Sequence, residues 1–142
     1  MIEENKTILL VEDNDEVAAG TKALLQMMGH RITCVFDADT ALRLFEDAWA
    51  ECARSGEPLP FDLVISDIHM PGRMNGIDLA EALQAHEARL PVILVTGYAE
   101  ELERARHVDV RLLSKPFDIA LLERLLQEIQ RDLAHAGAPH SG

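Results

Sequence analysis

Short, almost wholly apolar runs, each stopping on a polar side chain, constrain this chain more than any other feature. Residues 7–11 read Thr-Ile-Leu-Leu-Val and stop on Glu12-Asp13; the run 61–72 carries Leu63, Val64 and Ile65 into Asp67 and then turns at Met70-Pro71-Gly72. Residues 91–95 stop on Thr96-Gly97, and residues 108–113 stop on Ser114-Lys115. Runs this apolar leave no wet face, and β-branched Val64 and Ile65 suit a central parallel strand buried on both sides. A further strand is expected over 31–36.

Between these runs the apolar spacing becomes helical. Asn14 or Asp15 can cap a first helix, Glu16 complements its dipole, Val17, Leu24, Leu25 and Met28 form its apolar stripe, and Gly29 closes it. Residues 38–54 carry Ala41, Phe45, Ala48 and Cys52 on one face, with Asp37 or Asp39 as cap, and residues 55–60, Ser-Gly-Glu-Pro-Leu-Pro, form a loop. A third helix turns Ile77, Ala80 and Leu83 inward. A short, heavily charged fourth is expected over 99–106. A fifth, capped at Asp118 or just before it, presents Leu122, Leu125, Leu126, Ile129 and Leu133.

Five strands alternating with five helices predict an α/β fold, a parallel sheet with right-handed crossovers and helices on both faces. Periodicity does not give the strand order. In any parallel order, however, the ends carrying Glu12-Asp13, Asp67, Thr96 and Lys115 share one edge, where ligands bind in open α/β sheets.

At 142 residues the chain is expected to be a single domain, 1–142, with its core over about 6–134 and a flexible tail at 135–142. With 25 acidic against 13 basic residues the formal charge is -12, which disfavours binding to nucleic acid or to an anionic membrane surface. No run is long enough to span a bilayer, and the amino terminus lacks the pattern of a signal peptide, so a cytoplasmic location is expected. Cys34 and Cys52 have no ligand-like spacing and read as buried small hydrophobes. His30, His86, His107, His135 and His140 are scattered and read as solvated.

Three carboxylates meeting in one crevice repel one another. Two like charges about 4 Å apart cost about 4 kcal/mol at an effective dielectric near 20, so the cluster calls for a cation. An all-oxygen set fits Mg²⁺, which keeps several waters and takes one or two carboxylates plus a phosphate. Asp13, with its shorter and stiffer side chain, reads as a direct ligand, with Glu12 acting through water. Lys115 brings a fixed positive charge and Thr96 a hydroxyl donor, and Gly97 leaves room beside them. Positioning and electrostatics are what phosphoryl transfer demands. The residues therefore read as a Mg²⁺-assisted aspartyl-phosphate site with Asp67 as acceptor.

Taken together, Leu9-Leu10-Val11-Glu12-Asp13-Asn14, Asp67-Ile68-His69-Met70-Pro71 with Asn75-Gly76, Val95-Thr96-Gly97 and Lys115-Pro116-Phe117 resemble the signature of the receiver domain of two-component response regulators. The resemblance implies a flavodoxin-like, doubly wound (βα)5 fold with strand order 2-1-3-4-5. It implies a phosphorelay role in which Asp67 takes a phosphoryl group from a phosphohistidine on a sensor histidine kinase or histidine phosphotransfer protein. It further implies a Mg²⁺ site made by Glu12, Asp13, Asp67 and the backbone carbonyl of His69, contacts from Thr96 and Lys115 to the phosphoryl oxygens, and a cis Lys115-Pro116 bond. Such a protein is a phosphoacceptor that catalyses its own phosphorylation and dephosphorylation, not a turnover enzyme, and it acts by switching protein contacts. The sequence does not give the oligomeric state, with a monomer and a weak dimer both compatible.

Several positions depart from that pattern. Leu112 stands where many receivers carry a Tyr or Phe, the segment between Thr96 and Lys115 is short, and the loop 71–76 is one residue longer. These features resemble receivers attached to hybrid histidine kinases or working as single domains. Tyr98 can sit near the site, and the His69 side chain can line its entrance. An aspartate-nucleophile phosphatase of the haloacid dehalogenase type would want an Asp at position 69 and a cap domain. A phosphorylation-independent adaptor is the other alternative, and the intact set Glu12, Asp13, Asp67, Thr96 and Lys115 argues against it. No Gly-rich nucleotide fingerprint follows the first strand.

Overall fold

The computed structural model describes residues 6–115 and 118–137. Five strands, β1 (Thr7–Val11), β2 (Arg31–Val35), β3 (Leu63–Asp67), β4 (Val92–Thr96) and β5 (Arg111–Ser114), form one parallel sheet in the order β2-β1-β3-β4-β5. Between and after them come α1 (Asp15–Met27), α2 (Ala38–Ser55), α3 (Gly76–His86), α4 (Ala99–Arg104) with a 3₁₀ turn at Ala105–His107, and α5 (Ile119–Gly137). This is the doubly wound flavodoxin-like arrangement expected.

The alternation of side chains along each strand splits the core in two. Leu9 and Val11 of β1 join Val64 and Leu94 under Phe45 of α2 and Leu79 and Leu83 of α3. Ile8 and Leu10 join Ile65, Ile93 and Val95 against Leu25 of α1 and Leu122, Leu126 and Ile129 of α5. Every residue of β3 and β4 is buried, as apolar central strands require, whereas the edge strand β2 leaves Arg31 and Thr33 exposed. Asn14 and Asp37 are the caps of α1 and α2, accepting from the Val17 and Thr40 N–H groups at 3.0 and 2.7 Å. Asp118 Oδ1 accepts from the Leu121 N–H at 2.9 Å at the start of α5.

Four local expectations are corrected. In α1, Leu25 is buried and Met28 packs half-buried against the core as expected, but the second buried residue is Ala18, not Val17, which is exposed. Strand β5 begins at Arg111, three residues later than the apolar run implied. Val108 closes the 3₁₀ turn by donating to the Ala105 carbonyl at 3.1 Å, and Gln84 of α3 donates to the Asp109 carbonyl at 2.7 Å, which holds that stretch off the sheet. Cys34 and Cys52 are free and only half-buried. His30 is buried, not solvated: its Nδ1 accepts from the Lys6 N–H at 3.0 Å between β1 and β2. Half-buried His86 meets Glu46 at 3.0 Å, exposed His107 meets Glu81 at 2.9 Å, and the side chains of Leu133, His135 and His140 lie outside the described residues.

Among the described residues no helix is long and apolar enough to cross a membrane.

Candidate functional site

Backbone pairing sets the site before any side chain is considered. Asp67 is the last residue of β3, in register with Val95, and the Ile68 N–H donates to the Val95 carbonyl at 2.9 Å. Glu12 follows β1 directly, its N–H bonded to the Val35 carbonyl at 3.1 Å, and the Lys115 N–H donates to the Thr96 carbonyl at 2.8 Å. With Val11 paired to Ser66, the ends of β1, β3, β4 and β5 lie at one edge, with Glu12, Asp67 and Thr96 buried and Asp13 exposed. His69 is exposed just beyond Asp67.

Lys115 Nζ lies 2.9 Å from Asp67 Oδ1 and 3.3 Å from Glu12 Oε1. Burial opposes the lysine charge, but the hydrogen bonds and attraction of Asp67 and Glu12 outweigh it and raise the Lys115 pKa. The Glu12 carboxyl is also pushed up, first by burial and then by neighbouring Asp67, against the opposing pull of the Asn14 N–H and Lys115. One lysine is thus shared between two carboxylates, and its pull does not offset the burial of Glu12 and the nearness of Asp67.

One carboxylate oxygen from each of Glu12, Asp13 and Asp67 falls within 4.8 Å of the others. Three acidic oxygens so close, with Lys115 bound to two of the groups, suit a hard divalent cation. No ion is present. The buried, charge-strained Glu12 is the observation that makes the residues fit one.

The Thr96 hydroxyl does not face solvent. It donates to Glu101 Oε1 at 2.9 Å and accepts from the Tyr98 N–H at 3.1 Å. Glu101 Oε2 lies 3.5 Å from His69 Nδ1, and the His69 ring meets the exposed Tyr98 edge-on, centroids 5.8 Å apart. The sequence reading missed Glu101. It stands in a run of charges that looks like a solvated face, and the only signal was its place in the first turn of α4, five residues after Thr96. Leu112 is half-buried against the α2–α3 side of the core. A Cβ at Gly97 would meet only Lys115 Cβ, at 3.9 Å, so packing alone does not require glycine there. The Lys115-Pro116 bond lies outside the described residues. A cleft of about 260 Å³ lined by Arg89, Pro91, Asp109 and Arg111 lies at the opposite edge of β4 and β5, away from these groups.

A family model for the response regulator receiver domain matches residues 8–127. The chain is 34% identical over 129 residues to the transcriptional regulatory protein CpxR of Escherichia coli K12, covering 87% of this chain and 49% of CpxR. It is 32% identical over 137 residues to the regulatory protein AtoC of the same strain, covering 90% of this chain and 27% of AtoC, so it spans half or less of each relative. Among solved structures it is similar to the receiver domain of the sensor histidine kinase PA1611 from Pseudomonas aeruginosa PAO1, with 28% identity, a TM-score of 0.72, and coverage of 88% of this chain and 97% of that one. A magnesium ion is coordinated in the active-site cleft of that receiver. With this sheet order, this cluster of strand-end residues and a match over most of its length, the chain belongs to the response regulator receiver domain family.

Proposed function

We propose that Asp67 is the phosphoacceptor of this receiver, taking a phosphoryl group from a phosphohistidine on a sensor histidine kinase or histidine phosphotransfer protein. The observation that carries the reading is the Lys115 ammonium held 2.9 Å from Asp67 and 3.3 Å from Glu12 at the shared strand edge. An Asp67 carboxylate oxygen attacks phosphorus, the phosphorus–nitrogen bond breaks, and the imidazole nitrogen leaves with the electron pair. An acyl phosphate remains on Asp67.

Glu12, Asp13, Asp67 and the His69 carbonyl would hold Mg²⁺, which when bound neutralises charge on the transferring phosphoryl oxygens. Lys115 does the same from the β5 end, and its raised pKa keeps it charged across physiological pH. The Thr96 hydroxyl, once turned toward the site, donates to a phosphoryl oxygen. The added charge of about -1.5 to -2 then redistributes the conformations of the β4–α4 segment, and with them the surface offered to a partner.

The test is incubation with Mg²⁺ and acetyl phosphate or phosphoramidate, followed by intact mass measurement. One phosphoryl group is expected on the wild type and none on Asp67→Asn or in the presence of EDTA. A wild type that gains no group from either donor, and shows no Mg²⁺ response, would overturn the reading.

A further inference from the structure

Thr96 has one hydroxyl hydrogen to donate, and Glu101 already accepts it. The acceptor is not an ordinary surface carboxylate. Glu101 is 13% exposed at its side chain, whereas Glu103 is exposed and pairs with Arg106. The only Lys, Arg or His side chain paired with it within 4 Å among the described residues is His69, whose Nδ1 lies 3.5 Å from Glu101 Oε2. A bond from a neutral hydroxyl to a carboxylate is roughly twice as strong as one between neutral groups, so the Thr96–Glu101 contact is a firm one.

We propose, on the reading that Asp67 is the phosphoacceptor, that Glu101 is a positioning residue: it holds the Thr96 hydroxyl away from the acceptor, and the phosphoryl group must win that hydroxyl from it. The contact opposes phosphorylation because the same proton cannot serve both oxygens. It also ties the chemistry to α4. That helix has six residues, its first turn has no side-chain cap at Tyr98, and a helix so short does not stand alone. It is tied down by Ala105, fully buried just beyond its end, by half-buried Leu102 and by the Glu101 carboxylate bonded to β4. Surrender of Thr96 therefore frees the first turn of α4.

The experiment is a double-mutant cycle in the 142-residue chain with Mg²⁺, using beryllofluoride as a phosphoryl mimic read by ¹⁹F NMR, and phosphoramidate for rates. Glu101→Ala is expected to tighten beryllofluoride binding and speed phosphorylation by about tenfold. The gain should vanish in the Thr96→Ala background, where no hydroxyl needs releasing. Glu101→Gln, which keeps a weaker acceptor, should fall between wild type and Glu101→Ala, and it guards against a folding defect in the alanine variant. Unchanged or weaker binding in both Glu101 variants would overturn the latch, as would an equal gain with and without the Thr96 hydroxyl. If the wild type itself neither binds beryllofluoride nor accepts phosphate, the phosphoacceptor reading fails and takes the latch with it.

Discussion

Gly76, the first residue of α3, stands against the backbone of Asp67 so closely that a Cβ built on it would lie 2.1 Å from the Asp67 carbonyl oxygen and 2.8 Å from the Ile68 Cα. The Gly76 N–H also donates to the Ile68 carbonyl at 2.8 Å. The last residue of β3 is thus braced by a helix start nine positions further along the chain.

Gly76→Ala is expected to destabilise the protein by about 2–3 kcal/mol, because overpacking against backbone on two sides outweighs the roughly 1 kcal/mol that alanine gains in a helix. Urea unfolding measures this. The displaced Asp67 should also slow phosphorylation from phosphoramidate relative to a surface Gly→Ala control at Gly20, where a Cβ meets nothing within 4 Å.

Asn75 caps the same helix, its Oδ1 accepting from the Asp78 N–H at 2.8 Å while Asp78 Oδ2 accepts from the Asn75 N–H at 3.1 Å. Asn75→Ala should cost about 1 kcal/mol in denaturant unfolding, and Asn75→Asp, which keeps the acceptor, should cost much less.

The raised pKa of Glu12 makes it a stability liability in metal-free protein. A carboxyl whose folded pKa lies above its unfolded value costs nothing below about pH 4.5, where both states are protonated, and costs stability as pH rises through the folded pKa. Glu12→Gln should therefore stabilise the metal-free protein at pH 7, with the gain shrinking toward pH 4.5. Mg²⁺ at a hundred times its dissociation constant should add about 2.7 kcal/mol to the wild type. The added stability should be smaller in Glu12→Gln. Thermal unfolding with and without Mg²⁺ across pH 4.5–7 reads both effects.

His30 works in the opposite direction. Burial, with help from the nearby Lys6 charge, lowers its pKa, and its buried Nε2 has no partner among the described residues. The unfolded chain then takes up the proton first, so the His30 contribution is full above about pH 6.5 and is lost as pH falls through the folded pKa. His30→Asn keeps an acceptor for the Lys6 N–H but has no titrating ring. It should be less stable than wild type at pH 8, and the difference should narrow as pH falls from 6.5 to 5.

Much of the fold was legible because burial on both faces leaves a strong mark in sequence. Residues 8–11 and 63–65 are wholly apolar, and each run ends where a polar residue appears. The weak points were segments whose state depends on a distant neighbour. Val108 to Val110 look like strand, but Gln84 and the Ala105 carbonyl take the backbone groups that a strand would need. Val17 looks like a core residue, but the crossing of α1 over the sheet puts Ala18 and Leu25 inward.

The sequence by itself determined the βα alternation and the identity of the polar groups at the strand ends, Glu12, Asp13, Asp67, Thr96 and Lys115, since those follow from local runs and where they stop. Only the tertiary structure decided which groups meet. It shares Lys115 between Asp67 and Glu12, points the Thr96 hydroxyl at Glu101, bonds His30 to the Lys6 N–H just before β1 and presses Gly76 against Asp67. The reason is physical. A run's burial is written in its own residues, whereas a hydrogen bond or a close approach depends on distances of a few tenths of an ångström between segments that the chain brings together only when the sheet closes.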